Sequence, residues 1–358
     1  MDYGKFWEIN KQCLPLDGSI PRVPVSMYLG GDWLCEHIKA DTIRFYNDYR
    51  YQQEVWEQGK ILTKKELGYE MNNGVEFGVV MDSSIYGGEF MIEPNATPVL
   101  RPVVNELEDI EPLVKRMQSA DLLNCGIVPR YLTWAEQLKK DYGITLRYGD
   151  SIKGCATAMG QLCSITNFLT WIMTDPDEMQ VLIDCWYETS VRYIDLMRKT
   201  TGFESGETVR FSLASDVAGM LPPDVYQEHM KEAEGNLYTK YAGGVNDARF
   251  YHSDYHMMHI LPHLKDIGVN EVNVDPYVEL KDIFEIMPDA VAYGQIPPTT
   301  VLLYGTPEQV RECIKRDIEQ AGHTKQLVIG TAGSINPGTP FENLRAVCDA
   351  TEEFGYIY

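Results

Sequence analysis

Two residues whose side chains could carry out chemistry are His252 and Asp254, in the segment FYHSDYH at residues 250–256. They lie two positions apart at the end of a run with the composition of a buried strand, and alternate residues of a strand point to the same side. An imidazole and a carboxylate on one side are suited to proton transfer or to metal binding. The alternative is that Ser253 or Asp254 caps a helix beginning near Tyr255, with His252 a hydrogen-bonded core residue.

Other β-rich runs also close on polar residues. In barrels of parallel strands the carboxyl ends meet at one mouth, together with the loops that follow them. We predict that Asp216, His252 and Asp254 are the catalytic group there. The predicted substrate-binding residues are Asp82, Tyr86, Tyr148, Asp150, Asp275, Tyr293, Gln295 and Asn336. Capping or turn roles are open alternatives for Asp82, Asp150 and Asp275, and packing roles are open for the tyrosines.

Eight β-rich runs must position these residues, at 22–31, 75–82, 144–151, 208–216, 248–254, 271–276, 290–296 and 326–333. Between the later runs, apolar residues recur at three- and four-residue spacing, which indicates helices. The segment Thr306-Pro-Glu-Gln309 has the residues of a helix-capping box. The sequence thus has the alternation of strands and helices that is typical of βα units.

This alternation predicts an α/β fold, a single (β/α)8 TIM barrel over residues 1–358 with N-terminal helical additions. Residues 32–70 have a helical and aromatic pattern, and we expect them to cover one end of the barrel. A doubly wound open sheet is the alternative fold. It is disfavoured because neither GxGxxG nor GxxxxGK[ST] follows any run.

The composition excludes several classes of function. Lysine and arginine total 31 against 53 aspartate and glutamate, which gives a formal charge of −22. So acidic a surface repels phosphate backbones and anionic lipid. The N-terminal segment has no apolar run of signal-peptide length, and no stretch approaches a membrane span. We expect a cytoplasmic protein that binds neither nucleic acid nor membrane.

Cysteines and further histidines have ordinary explanations. The eight cysteines are scattered without a CxxC pair, which is typical of reduced core residues. His256, His259 and His263 have the spacing i, i+3 and i+7 in the segment predicted to form the next helix. That spacing suits a metal site and equally well one face of an amphipathic helix.

Four stretches carry a family likeness: SDVAGMLPPDVYQEHM at 215–230, FYHSDYHMMHILPHLKDIGVNEVNVDP at 250–276, YGTPEQV at 304–310 and GTAGSINPGTPFENLRA at 330–346. With RYGDSIKGCATAMG at 147–160, they resemble the uroporphyrinogen decarboxylase superfamily, over roughly residues 140–355. That superfamily includes corrinoid-linked methyltransferases on the same barrel. The resemblance supports the TIM-barrel prediction.

The branches of this superfamily differ at the site. The decarboxylase uses an arginine cluster near its first strand, where this chain has PVSMYLGGDWLCEH. The thiol-methylating branch holds zinc on a His-x-Cys pair and a late cysteine, and here the pair reads His252-Ser-Asp254 and the late position reads GTAGS. The methyltransferases of anaerobic O-demethylase systems are associated with a Glu-x14-Glu-x20-His pattern, which reads Asp216, Lys231 and His252 here.

The resemblance to the third branch implies methyl transfer from a small methylated donor, a phenyl methyl ether, to Co(I) cobalamin carried by a partner corrinoid protein. Co(I) is the nucleophile, so the barrel must hold the methyl carbon and activate the leaving oxygen. Asp216, His252 and Asp254 would protonate that oxygen or hold a metal ion such as zinc against it. Self-association into a homodimer is a further expectation.

Two alternatives stay open. One is a decarboxylase or thiol methyltransferase of the same superfamily, disfavoured by the missing arginines and cysteines. The other is a non-catalytic barrel that binds a corrinoid or tetrapyrrole, which is consistent with the altered metal pattern.

Overall fold

From residue 151 onward, parallel strands alternate with helices, whereas the described residues before it form helices and one antiparallel strand pair. The computed structural model describes residues 1–13, 22–71, 74–203 and 209–357. Its strands are β1 (Phe90–Met91), β2 (Val99–Leu100), β3 (Ser151–Lys153), β4 (Arg210–Ala214), β5 (Ala248–His252), β6 (Glu271–Asn273), β7 (Val291–Tyr293) and β8 (Leu327–Val328).

The helices vary from one turn to seven in length. They are α1 (Tyr3–Gln12), α2 (Gly31–Ile38), α3 (Thr42–Asn47), α4 (Tyr49–Leu67), α5 (Met81–Ser84), α6 (Ile110–Gln118), α7 (Val128–Tyr142), α8 (Cys155–Cys163), α9 (Ile165–Thr174), α10 (Pro176–Thr201), α11 (Pro223–His229), α12 (Lys231–Tyr241), α13 (Leu261–Asp266), α14 (Leu280–Ile286), α15 (Pro307–Ala321) and α16 (Phe341–Phe354). Shorter turns of 3₁₀ helix lie at Leu107–Asp109, Leu122–Asn124, Asp216–Met220 and Gly322–Thr324, and a π-helical turn at Pro298–Leu303.

The chain forms two compact units. We call residues 74–255 with 259–269 the central unit, and residues 1–73 with 256–258 and 270–358 the terminal unit. In the central unit, β3, β4 and β5 form a parallel ladder in that order. β4 alternates strictly, with Phe211 and Leu213 fully buried between more exposed neighbours. This period of two directs Phe211 and Leu213 into the core of the central unit.

The terminal unit contains the parallel strands β6, β7 and β8 and the N-terminal helices α1 to α4. Val25 forms a parallel bridge with Ile329, just beyond β8. α15 begins with a complete capping box, in which the Thr306 and Gln309 side chains accept from each other's backbone N–H groups. This capping box confirms the helix start predicted from sequence.

The predicted α/β fold class with N-terminal helical additions is confirmed, since parallel strands alternate with helices and α1 to α4 precede them. Three helices occupy the segment 32–70, in agreement with its helical pattern. That this segment covers one end of the barrel, and that residues 1–358 form a single domain, stay predictions. No helix in the described ranges is both long and apolar enough to cross a membrane.

The first three predicted strands are wrong in extent. The run 22–31 has bridges only at Arg22 and Val25, and the run 75–82 contains no strand. In the latter, Gly78 has a φ of +68°, which interrupts an extended chain.

The predicted third strand, 144–151, is displaced toward the C-terminus. Gly149 has a φ of +122°, and β3 begins only at Ser151. Asp150 therefore precedes the strand that it was predicted to end. In the fourth run, 208–216, Thr208 lies outside the described residues, and β4 covers Arg210–Ala214.

Replacement of the central core residue of β4 should destabilise the protein. Phe211 is completely buried, and its ring centroid lies 5.2 Å from that of Tyr241. We expect Phe211→Ala to lower the free energy of unfolding by about 3–5 kcal/mol, because it leaves a cavity. Urea denaturation followed by circular dichroism measures this loss. Val245→Ala, at a fully exposed position, is the control and should stay within about 0.5 kcal/mol of wild type. Equal losses in the two variants would contradict the described packing.

Candidate functional site

Three ionisable side chains gather where β4 and β5 end in the central unit. One ligand atom from each of Asp216, His252 and Asp254 can be chosen so that all lie within 4.8 Å of one another. His252 Nε2 is 3.4 Å from Asp254 Oδ1. The backbone N–H of Asp254 donates to Asp216 Oδ1 at 2.7 Å. We call these three residues the acidic cluster.

Strand register brings the acidic cluster together. Ala214 of β4 is the ladder partner of His252, the last residue of β5. One residue further on, the Ser215 N–H donates to the His252 carbonyl at 2.8 Å. This bond continues the parallel pattern to the position where Asp216 opens a 3₁₀ turn. Asp216 therefore lies beside the residues that follow β5.

The alternative interpretation of FYHSDYH as a helix start is wrong. The chain turns after Asp254, with the Tyr255 N–H donating to Ser253 Oγ at 3.1 Å, and the next helix begins only at Leu261. The cap predicted for a helix near Tyr255 is thus a short turn.

The three later histidines accordingly do not share one helix. α13 contains His263 alone. His259 Nε2 lies 3.0 Å from the Leu221 carbonyl, and His256 Nδ1 lies 3.5 Å from Asp275 Oδ2. Their regular spacing in sequence is not reproduced as one face of a helix.

The electrostatics of the acidic cluster favour a cation. Desolvation raises the pKa of Asp254 above its ordinary value; His252 opposes this rise and the Asp216 carboxylate adds to it. A carboxylate whose ionisation is disfavoured by burial and by a second carboxylate is relieved by a positive charge beside it. One imidazole nitrogen and carboxylate oxygens form a donor set that suits zinc and similar divalent ions. The residues present therefore fit a divalent metal ion.

Lys231 takes no part in the acidic cluster, although it occupies the middle position of the spacing Asp216, Lys231, His252. Its Nζ donates instead to Asp266 Oδ2 at 2.7 Å. The second carboxylate comes from Asp254, which is two residues beyond His252. The donor set is thus built from the strand ends rather than from α12.

Asp82 is held by a lysine that sequence analysis did not single out. Asp82 Oδ2 accepts from the Lys153 backbone N–H and Oδ1 from Lys153 Nζ, both at 2.7 Å. The two side chains are 13% and 9% exposed, so the ion pair is nearly buried. Asp82 lies in α5 rather than at a strand end, and Lys153 is the charged residue that ends β3. The spacing of 71 residues between the partners left no local signal.

The other central-unit residues predicted to bind substrate are placed differently. Tyr86 is buried, and the Tyr148 ring packs against Tyr131 and Tyr193 with centroids 5.5 and 5.7 Å away. Asp150 is exposed ahead of β3. The tyrosine contacts are those of packing residues, and substrate roles for the three stay predictions.

In the terminal unit, Gln295 and Asp275 lie together. Gln295 Nε2 donates to the carbonyls of Asp275 and Val278 at 2.8 and 2.6 Å. Asp275 Oδ1 accepts from the Tyr277 N–H at 2.9 Å. These bonds hold the loop that follows β6.

Two further predicted residues of the terminal unit have local partners. Tyr293 ends β7, and its carbonyl accepts from Asn273 Nδ2 at 2.6 Å. Asn336 Nδ2 donates to Thr299 Oγ1 at 2.9 Å. Substrate roles for these two residues, as for Asp275 and Gln295, stay predictions.

Glu234 is a second residue that sequence analysis missed. It is fully buried on α12, where it accepts from Tyr226 Oη at 2.6 Å and from the Cys155 N–H at 2.8 Å. Burial raises its pKa to about 7, against the effect of those hydrogen bonds. The Glu234 carboxylate adds to the effect of burial in raising the pKa of four neighbouring side chains, which are Cys155, Tyr226, Tyr238 and Tyr251. A sequence signal did exist, because Glu234 is in helical phase with the buried Leu237, Tyr238 and Tyr241.

All eight cysteines are free thiols, and six of them are buried. Among the described residues, the acidic cluster is the one group of three or more potential ligands close enough to hold a metal ion, and it contains no cysteine. The expectation that most cysteines are buried core residues is met.

Comparison with known proteins yields one family. The family described as uroporphyrinogen decarboxylase (URO-D) matches residues 17–354. A methylated-thiol–coenzyme M methyltransferase of Methanosarcina mazei is 24% identical over 285 residues, which cover 78% of this chain and 71% of the relative. The methylcobamide:CoM methyltransferase MtbA of Methanosarcina acetivorans is 25% identical over 315 residues, 81% of each chain.

A solved structure, a methyltransferase from Methanosarcina mazei, superimposes with a TM-score of 0.69. It is 19% identical, and the match covers 99% of both chains. At this identity the likeness shows a shared fold.

Removal of a cluster residue should weaken metal binding. We expect Zn²⁺ to bind the wild type. His252→Ala or Asp254→Asn should lower this affinity by roughly 10–100-fold or more, since loss of a mere supporting partner of a metal ligand already costs that much. Competition with a chromogenic chelator measures the affinity, which should also fall at acid pH because the ligands must be deprotonated. Cys125→Ser with Cys313→Ser, which removes the two half-buried thiols, is the control. A comparable loss in this control would contradict the ligand assignment.

The buried Glu234 should make stability fall with rising pH. Its folded pKa of about 7 exceeds the ordinary value of 4.5, so its favourable contribution is complete below pH 4.5 and is lost as pH rises through 7. Across that window we expect wild type to lose about 3 kcal/mol relative to Glu234→Gln, at about 1.4 kcal/mol per pKa unit. Urea denaturation at a series of pH values gives the two curves. Glu232→Gln, at an exposed acid on the same helix, should follow wild type; parallel curves for wild type and Glu234→Gln would refute this assignment.

Proposed function

Because the chain belongs to the uroporphyrinogen decarboxylase family, we propose that it is a corrinoid-dependent methyltransferase, acting with a partner corrinoid protein. The observation that carries this proposal is the acidic cluster at the ends of β4 and β5. The names of two relatives support it, since both are methyltransferases and one is named for a methylcobamide. The missing arginine cluster argues against decarboxylation of a polycarboxylate.

The donor that we propose is a phenyl methyl ether, with the Co(I) corrinoid of the partner as methyl acceptor. In this reaction the methyl–oxygen bond breaks, its electron pair stays on oxygen, and a cobalt–carbon bond forms with the electron pair of Co(I). The departing oxygen then needs a proton or a cation, because it leaves as an anion. His252 is the residue that donates a proton to that oxygen.

The acidic cluster also provides the second means of activation. Asp216, His252 and Asp254 would hold a divalent ion, which when bound supplies Lewis-acid contact to the leaving oxygen. Asp216 and Asp254 in either case place carboxylate oxygens beside His252, where a positive charge would form or bind. The side chain of Asp254 is 53% exposed, so the acidic cluster is accessible to solvent, as the approach of a partner requires.

A methylated thiol is a second candidate donor. It is favoured by the name of the Methanosarcina mazei relative, which is a methylated-thiol–coenzyme M methyltransferase. A thiol as methyl acceptor is disfavoured, because the acidic cluster lacks the cysteine ligands that sequence analysis associates with that branch. A donor series of methyl ethers and methyl thioethers distinguishes the two.

We expect His252→Ala and Asp216→Asn to reduce methyl transfer to a Co(I) corrinoid protein by roughly 100-fold or more, the upper range for loss of an acid–base contact. The loss should be largest for donors with poor leaving groups, which depend most on protonation. Cobalt absorbance follows the reaction.

The controls are Asp224→Asn and His323→Ala, at exposed positions outside the acidic cluster, and both should keep the wild-type rate. Equal rates for wild type and both cluster variants would refute the site. If wild type transfers no methyl group from any donor, the non-catalytic corrinoid- or tetrapyrrole-binding alternative is favoured instead.

A further inference from the structure

Glu234 lies at the junction of the three central-unit strands that lead to the acidic cluster. Its carboxylate receives the N–H of Cys155, the first residue of α8, directly after β3. Tyr251 immediately precedes His252 in β5. Burial is the main cause that raises the pKa of Tyr251, and the nearby Glu234 carboxylate adds to it. A fully buried acid is costly unless it is well hydrogen-bonded, so its presence here calls for a specific role.

We propose that Glu234 is the positioning residue of the acidic cluster, which it holds in place through α8. This inference rests on the proposed function, because it assigns the cluster a task that requires fixed geometry. Glu234 touches neither substrate nor metal in this role. It acts on Asp216 through Cys155 and the first turn of α8.

The first step of this connection is a close backbone approach. A Cβ at Gly154 would lie 2.6 Å from Ser215 Cβ and 2.7 Å from Glu234 Oε1, which are both impossibly short. Gly154 also donates its N–H to the Ala214 carbonyl at 2.9 Å. The chain segments at the ends of β3 and β4 therefore lie in close contact beside the Glu234 carboxylate.

The second step runs through Thr157, in the first turn of α8. The Thr157 N–H donates to Ser215 Oγ at 3.3 Å, and Thr157 Oγ1 accepts from the Val217 N–H at 3.1 Å. Ser215 and Val217 are the two chain neighbours of Asp216. The residues on both sides of Asp216 are thus bonded to one threonine, and the helix of that threonine begins at Cys155, whose N–H donates to Glu234.

The far end of Glu234 is anchored as well. Glu234 Oε2 accepts from Tyr226 Oη at 2.6 Å, and Tyr226 is fully buried on α11. With one oxygen on α11 and the other on α8, the carboxylate cannot move without breaking a buried hydrogen bond. Such a support should be most visible in the metal affinity of the cluster that it positions.

The test compares variants of Glu234 and of a buried neighbour. Glu234→Leu removes both hydrogen bonds, and Glu234→Gln keeps an oxygen for the Cys155 N–H. Leu237→Ala, at a fully buried position on the same helix, should destabilise α12 while it keeps the hydrogen bond between Glu234 and the first residue of α8. For each variant, Zn²⁺ affinity is measured by chelator competition at pH 7.5, well below the melting temperature, which is recorded separately.

We expect Glu234→Leu to weaken Zn²⁺ binding at least 10-fold, the lower bound for loss of a supporting partner. Glu234→Gln should recover most of the affinity, and Leu237→Ala should lower the melting temperature while Zn²⁺ affinity stays at the wild-type value. Unchanged affinity in Glu234→Leu would overturn the inference. An equal loss of affinity in Leu237→Ala would also overturn it, by showing general destabilisation.

Two additions keep the inference testable on its own. If Glu234→Leu does not fold, Thr157→Val removes only the bond to Val217 and should still weaken Zn²⁺ binding; wild-type affinity in Thr157→Val would overturn the inference.

If wild type binds no Zn²⁺, the metal part of the proposed function fails, and the imidazole NMR signals of His252 decide instead. Glu234→Leu should shift them and Leu237→Ala should leave them in place, whereas no shift in Glu234→Leu overturns the inference. Zn²⁺ binding without methyl transfer would count against the proposed function alone.

Discussion

One backbone hydrogen bond, from the Ser215 N–H to the His252 carbonyl, determines the geometry of the acidic cluster. It extends the parallel pairing of β4 and β5 past the last ladder residues, so that Asp216 emerges opposite the chain leaving His252. The Asp254 N–H then binds the Asp216 carboxylate. The Asp254 main chain is thus held against the Asp216 carboxylate, and the two acids lie close together despite their like charge.

The acidic cluster could be anticipated from sequence because it follows from local rules. His252 and Asp254 share a side through the period of two in a strand, and Asp216 comes two residues after β4. The α/β class was equally accessible from alternating apolar patterns. Strand extents were less so, because Gly78 and Gly149 adopt positive φ within runs whose composition favours strands. A single backbone conformation there outweighs the propensity of the surrounding residues.

The residues that were missed belong to contacts between distant parts of the chain. Lys153 meets Asp82 across 71 residues, and Cys155 meets Glu234 across 79. Each pair is defined by which helix or loop packs on which strand end, which periodicity does not report. Burial also reverses the usual expectation for charged residues, since an acid inside an apolar helix face is ordinarily taken as exposed. Glu234 shows that its phase in the helix deserved more weight than its residue type.

The placement of the cysteines has a consequence for oxidation. All eight thiols are free, six are buried, and none belongs to the acidic cluster. Oxidants convert accessible thiolates to sulfenic acids and disulfides, which disables centres that depend on sulfur ligands. An imidazole with two carboxylates has no such reaction. Oxidation of a thiol would therefore remove no donor atom from the acidic cluster, and reagents that modify cysteine can label the protein without consuming one of these donors.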